Sequence, residues 1–162
     1  MIELESILFA LTEELKRQGL TIATAESCTG GMVAAFLTEK PGSSVWFERG
    51  FVTYSNLAKQ EMLGVDEQLI KNHGAVSIQV AEAMAIGALN HSTADVALSV
   101  TGIAGPDGGS AEKPVGTVCF GYIKRGMPVT SECCLFTPAT RDQVRHEACK
   151  NALNKVLALI SR

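Results

Sequence analysis

The chain has 162 residues, 46% hydrophobic and 19% charged, which is enough apolar material for one compact core and predicts a single domain over residues 1–162. A net charge of -3 leaves no basic footprint for a phosphate backbone, so nucleic acid is not expected as a partner. The acidic start Met1-Ile2-Glu3-Leu4-Glu5 lacks the basic flank and apolar stretch of a signal peptide, and no later run approaches the roughly 20 apolar residues that cross a bilayer, so no membrane association and a soluble cytoplasmic protein are expected.

Leu4, Ile7, Leu8, Leu11 and Leu15 recur at helical spacing, and Gly19 stands where a left-handed C-terminal cap belongs. Leu20 to Ala25, rich in β-branched residues, reads as a strand that turns through Glu26-Ser27-Cys28-Thr29-Gly30-Gly31 into a helix carrying Met32, Val33, Phe36 and Leu37. Pro41-Gly42 stops that helix, and Gly50 to Tyr54 reads as the next strand. Ser55 is a natural N-cap for a helix running towards Gly64, and a longer helix starts at Ser77 with Val80, Ala81, Met84, Ala85, Ala88 and Leu89. The apolar strand Val96 to Val100 follows. Strands at Val115 to Ile123 and Val129 to Phe136, joined by Lys124-Arg125-Gly126, read as a hairpin. Thr140 and Gln143 form a capping-box pattern at the start of the last helix. This order predicts an α/β fold, a three-layer α/β/α sandwich with a mixed, mostly parallel sheet.

Five cysteines (Cys28, Cys119, Cys133, Cys134, Cys149) form no C-x-x-C pair, and their odd number leaves a free thiol in any intramolecular pairing, so reduced thiols are expected. His73, His91 and His146 show no metal-ligand spacing, and no metal is expected.

Open α/β sheets bind ligands beyond the carboxyl ends of their strands, and three polar clusters fall there: Ser27 to Gly31, Tyr54 to Lys59, and Thr101 to Gly109. Ser27, at a strand-to-helix turn, is placed as a nucleophile would be, although Ser27 or Thr29 could simply cap the helix. Cys28 competes as nucleophile, but a free cysteine more often serves as a small buried hydrophobe. Lys59, in the first turn of its helix, is the candidate base, because the helix dipole and partial burial both disfavour the ammonium; a lysine there is also commonly a solvated surface charge. Tyr54 can relay a proton, stack on a flat ligand, or pack as an edge aromatic. The Thr101 to Gly109 loop is suited to bring backbone amides to an anion or a carbonyl oxygen, but lacks the P-loop and dinucleotide patterns. Arg141 can clamp a phosphate or remain an exposed helix arginine.

These segments, with Gly42-Ser43-Ser44-Val45-Trp46-Phe47-Glu48-Arg49-Gly50, Val52-Thr53-Tyr54-Ser55-Asn56, His73-Gly74-Ala75-Val76-Ser77 and Lys113-Pro114-Val115-Gly116-Thr117-Val118, resemble the competence-damage-inducible protein C-terminal domain family over essentially the whole chain. Stand-alone members of that family are nicotinamide-nucleotide amidases. The resemblance implies a Ser27–Lys59 dyad with Tyr54 and Thr101 beside it. It further implies Ser44 near the oxyanion, Thr29 and Gly30 among the oxyanion or substrate contacts, and Arg141 with the Gly102 to Gly105 backbone at the substrate. The implied reaction converts nicotinamide mononucleotide to nicotinic acid mononucleotide and ammonia, without a cofactor, in pyridine-nucleotide recycling. The longer two-domain members carry an additional N-terminal domain, so this chain resembles the amidase domain alone. A homodimer is the ordinary expectation for such an enzyme. The rival reading is a catalytically silent nucleotide-binding or regulatory module; it would have no need of a nucleophile and a base together.

Overall fold

The computed structural model describes residues 2–162. Its elements run α1 (Ile2–Gln18), β1 (Ile22–Glu26), α2 (Met32–Leu37), a short 3-10 turn (Ser43–Val45), β2 (Phe47–Val52), α3 (Asn56–Leu63), α4 (Glu67–His73), α5 (Ile78–Asn90), β3 (Val96–Gly102), β4 (Thr117–Lys124), β5 (Thr130–Leu135) and α6 (Arg141–Ile160). The sheet order is β2-β1-β3-β4-β5, with β1 parallel to both neighbours and the β3–β4 and β4–β5 ladders antiparallel. All strands except β4 therefore point one way, and the expected mixed, mostly parallel sheet with helices on both faces is present.

The faces of the sheet differ in side-chain size, and this decides what each can hold. Val96, Leu98 and Val100 of β3 and Val118, Phe120 and Tyr122 of β4 project into a large core with Leu11 and Leu15 of α1, Val33 of α2 and Val144, Leu153 and Val156 of α6. Burying each such side chain fully is worth about 1.5–3 kcal/mol. The opposite face carries small residues, so α5 lies almost on the backbone: Ser99 Oγ donates to Ala81 O, and a Cβ on Gly121 would sit 2.4 Å from that same oxygen. A second core of Leu63, Ile70, Val80, Met84 and Leu89 joins α3, α4 and α5 on this side.

Caps follow the sequence pattern at most helix ends. Gly19 takes φ +66° after α1; Ser55 accepts from Ala58 N, Ser77 from Val80 N, and Thr140 with Gln143 closes a capping box.

Other expectations are corrected. The strand expected at 50–54 spans Phe47–Val52, because Ile22 N donates to Trp46 O at 2.7 Å and starts the pairing upstream. Thr53 N still donates to Glu26 O at 2.8 Å, after which the chain turns into the Ser55 cap. β4 begins at Thr117 rather than Val115, since Gly116 (φ +97°) bends the chain so closely under Phe136 O that a Cβ would lie 2.3 Å from it. β5 is one residue shorter at each end than expected, and α4 lay outside the elements expected from sequence. Cys119 and Cys133 are direct partners in the β4–β5 ladder, Cα atoms 4.0 Å apart, and form a disulfide, in place of the expected reduced thiols. Cys28, Cys134 and Cys149 are free. Among the described residues, no helix is long and apolar enough to cross a membrane.

Candidate active site

The parallel strands β1, β2 and β3 end side by side, Glu26 being level with Val52 on one side and Val100 on the other. The next residue along β1 is Ser27, whose N–H extends the ladder by donating to Val100 O at 2.9 Å. A cavity of about 250 Å³ opens over these ends, lined by Ser27, Cys28, Tyr54, Asn56, Lys59, Ala75, Val76, Thr101, Gly102, Ala104 and Arg141.

Lys59 is buried, only 1% exposed, and its amine meets Ser27 Oγ at 3.1 Å, Thr53 O at 3.1 Å and Tyr54 O at 3.3 Å. No carboxylate contacts it among the described residues. Burial therefore holds its pKa below the ordinary lysine value, with the nearby Cys28 opposing weakly. The helix that carries it is fixed at its start by Ser55 and at its end by Gly64 (φ +69°), while Thr53 and Tyr54 arrive from the end of β2. As an ammonium Lys59 donates to all three oxygens; with one proton lost, its two N–H bonds would serve the two carbonyls and its lone pair would accept from Ser27. Ser27 Oγ also lies 3.3 Å from Tyr54 O, so its proton can rotate between that carbonyl and the amine.

Neither Ser27 nor Thr29 caps α2. The buried Glu26 carboxylate does so from the strand, accepting from Val33 N at 2.8 Å and Ala34 N at 3.0 Å, and from Thr29 Oγ1 at 2.7 Å. Ser27 is thereby left free to face the cavity. Gly30 (φ +57°) and Gly31 (φ +100°) supply the left-handed backbone of the turn. Cys28 also lines the cavity, but burial pushes its thiol up to about 11, which removes the thiolate a nucleophile needs.

At the rim, Arg141 donates to Gly105 O at 2.7 Å and lies 3.4 Å from the exposed Tyr54 hydroxyl. Tyr54 thus enters the site twice: its carbonyl meets Ser27 Oγ and the Lys59 amine, and its phenol stands at the mouth. Thr101 Oγ1 donates to Ala75 O at 2.9 Å, tying the α4–α5 turn to the end of β3. Gly102 has no room for a Cβ, which would meet Val118 Cγ2 at 2.7 Å.

The structure therefore brings together Ser27, Lys59, Tyr54, Thr101, Gly102 and Arg141, with Gly105 joined through its carbonyl and Gly30 in the turn behind. It does not bring two of the expected residues to the cavity. Thr29 is buried with its hydroxyl spent on Glu26. Ser44 is exposed in the turn before β2, at the opposite end of that strand from Ser27, so the length of β2 puts it roughly 20 Å away within this chain. Sequence reasoning passed over Glu26, Asn56 and Arg145. For Glu26 a signal was available, an acidic residue just before a glycine-rich helix start. Among the described residues no group of three or more His, Cys, Asp or Glu side chains is arranged for a metal ion.

A serine hydroxyl paired with a buried, carboxylate-free lysine, at the strand ends of a mixed α/β sheet, defines the class of this site. A sequence model of the CinA C-terminal domain matches residues 4–160, and the chain belongs to that family. The nicotinamide-nucleotide amidohydrolase PncC of Escherichia coli K12 is 54% identical over 154 residues, 92% of each chain. A CinA-like protein of Citrifermentans bemidjiense is 53% identical over 140 residues, which are 86% of this chain and 33% of that one. Among solved structures, the competence/damage inducible protein CihA of Agrobacterium tumefaciens superposes with a TM-score of 0.94 at 43% identity, over 99% of this chain and 96% of that one.

Proposed function

We propose that this protein is a nicotinamide-nucleotide amidohydrolase that converts nicotinamide mononucleotide to nicotinic acid mononucleotide and ammonia through an acyl-enzyme on Ser27. The observation that carries the reading is the buried Lys59 amine 3.1 Å from Ser27 Oγ, with main-chain carbonyls for its other contacts. The PncC relative at 54% identity supports the choice of substrate.

Lys59, neutral at the outset, takes the Ser27 proton as Oγ attacks the carboxamide carbon. Ser27 N and Gly30 N are spent within the fold, so the amides of Cys28 and Thr29 in this turn hold the tetrahedral oxyanion. The lysine returns its proton to the nitrogen as the C–N bond breaks and ammonia leaves, which gives a Ser27 ester. Water, deprotonated by the same amine, then cleaves the ester to the carboxylic acid and restores Ser27. Arg141 has N–H donors beyond those given to Gly105 O and Tyr54 Oη, and stands at the first residue of α6, where the helix dipole favours an anion. It holds the phosphate, and that remote binding energy orients the carboxamide. On this reading the enzyme needs no metal or cofactor and recycles pyridine nucleotide in the cytoplasm.

The test is ammonia release from nicotinamide mononucleotide by purified protein without added metal, comparing wild type with Ser27→Ala and Lys59→Ala. The expected result is turnover in the wild type, lost by at least about 1,000-fold in each folded variant. A folded wild type with no turnover would overturn the reading in favour of a silent nucleotide-binding module.

A further inference from the structure

The turn that carries Ser27 is gripped from two sides by charged residues that do not themselves line the cavity. On one side Arg145, from the second turn of α6, donates through Nε to Cys28 O at 3.1 Å and through Nη2 to Thr29 O at 3.3 Å. On the other, the Glu26 carboxylate holds Thr29 Oγ1 at 2.7 Å together with the first amides of α2. Because C=O and N–H point in opposite directions across a trans peptide, fixing the carbonyls of Cys28 and Thr29 also fixes the directions of the Thr29 and Gly30 N–H groups. Gly30 N in turn donates to Ser27 O at 3.0 Å, which closes the turn over the nucleophile. A Cβ on Gly30 would stand 3.7 Å from Nη2, an ordinary contact, so it is the φ of +57° and not space for Arg145 that favours glycine there.

We propose that Arg145 and Glu26 are positioning residues that fix the peptide planes of the Ser27 to Gly31 turn, and so set the aim of Ser27 Oγ at the substrate carbonyl. The inference rests on Ser27 being the nucleophile of the amidase reaction. Arg145 acts on the main chain through two parallel donors, which a single ammonium cannot reproduce. A clamp of this kind changes the rate of attack rather than substrate affinity, since the phosphate end of the cavity is held separately by Arg141. It leaves the proton affinity of Lys59 unchanged, because Arg145 bonds to the turn and not to the amine or its two carbonyls. A merely structural role predicts something else, lower thermal stability with normal turnover per folded molecule.

The experiment compares wild type, Arg145→Met and Arg145→Lys by two readouts on folded protein: the rate at which a fluorophosphonate labels Ser27, and kcat and KM for ammonia release across pH. In Arg145→Met, labelling and kcat are expected to fall at least about tenfold, with KM within about threefold of wild type and the midpoint of the pH–rate limb unmoved. Arg145→Lys should recover part of the loss. Folded Arg145→Met that labels and turns over within about threefold of wild type would overturn the proposal, as would a midpoint that moves together with kcat. If Arg145→Met does not fold, Thr29→Val cuts the tether to Glu26 and carries the same expectations and the same refutation. Labelling needs no nucleotide, so a wild type that is labelled at Ser27 yet releases no ammonia refutes the amidase reading alone, while wild-type labelling of Arg145→Met refutes the positioning role alone.

Discussion

Replacing Glu26 with glutamine tests whether a strand carboxylate caps the helix behind Ser27. The side chain is 1% exposed and accepts three hydrogen bonds, two of them from the first turn of α2. In Glu26→Gln the amide oxygen can still accept from Thr29 Oγ1 and Val33 N, but the new NH2 faces the Ala34 N–H across about 3.0 Å, donor against donor. Leaving that half-buried N–H unpaired costs about 1–2 kcal/mol, and the two surviving bonds lose charge assistance worth about 1 kcal/mol between them. The helix start also loses a favourable charge worth about 0.3–1 kcal/mol. A loss of about 2–4 kcal/mol lowers Tm by roughly 5–15 °C in a chain of this size. Calorimetric melts at pH 7 would compare wild type, Glu26→Gln and an exposed control, Glu39→Gln. A Tm for Glu26→Gln within about 2 °C of the control would refute the cap, since even the low end of the summed loss, about 2 kcal/mol, exceeds that shift.

Three further outcomes follow from the site. Burial lowers the Lys59 pKa from its ordinary 10.5, so the free amine grows as pH rises, and kcat/KM should climb along a limb whose midpoint lies below 10.5; a midpoint at or above that value would remove Lys59 as the base. The same depression means the unfolded chain binds this proton more tightly, so the Lys59 contribution to stability should rise with pH between the folded and unfolded values and level off above the latter, as denaturant titrations of wild type against Lys59→Met would read. Arg141→Ala should raise KM for nicotinamide mononucleotide about 10–100-fold, the worth of a charge-assisted contact, and change kcat/KM for the riboside, which lacks the phosphate, by less than about threefold. Equal losses on both substrates would place Arg141 elsewhere than at the phosphate.

What the sequence makes legible is what local rules encode. Ser55, Ser77 and Thr140 are caps by chemistry alone, and Gly19 and Gly64 occur where only a left-handed residue closes the helix. α4 escapes notice because it is seven residues long and buries only Ile70. The start of β2 escapes because an edge strand with Glu48, Arg49 and Gly50 at its centre has no clean alternation. The site follows the same division. Ser27 and Lys59 can each be suspected from a strand end, but their meeting depends on β2 and β1 being neighbours in the sheet. The Cys119–Cys133 bond needs the hairpin register, and Arg145 reaches Cys28 and Thr29 across more than a hundred residues of chain. Ser44, by contrast, precedes the strand that Tyr54 follows, so chain order by itself sets it at the far end of β2 from Lys59.

The amine of Lys59 rests on the oxygens of Thr53 and Tyr54, and those oxygens belong to the backbone. No codon change at either position deletes them. What this cradle is sensitive to is spacing: the path from Val52 to Ser55 has a fixed number of steps, and one residue more or less would swing both carbonyls away from the amine while leaving every side chain intact. Random mutagenesis by base substitution would rate Thr53 and Tyr54 by their side chains and overlook the cradle. A library of single-residue insertions and deletions would find it at once.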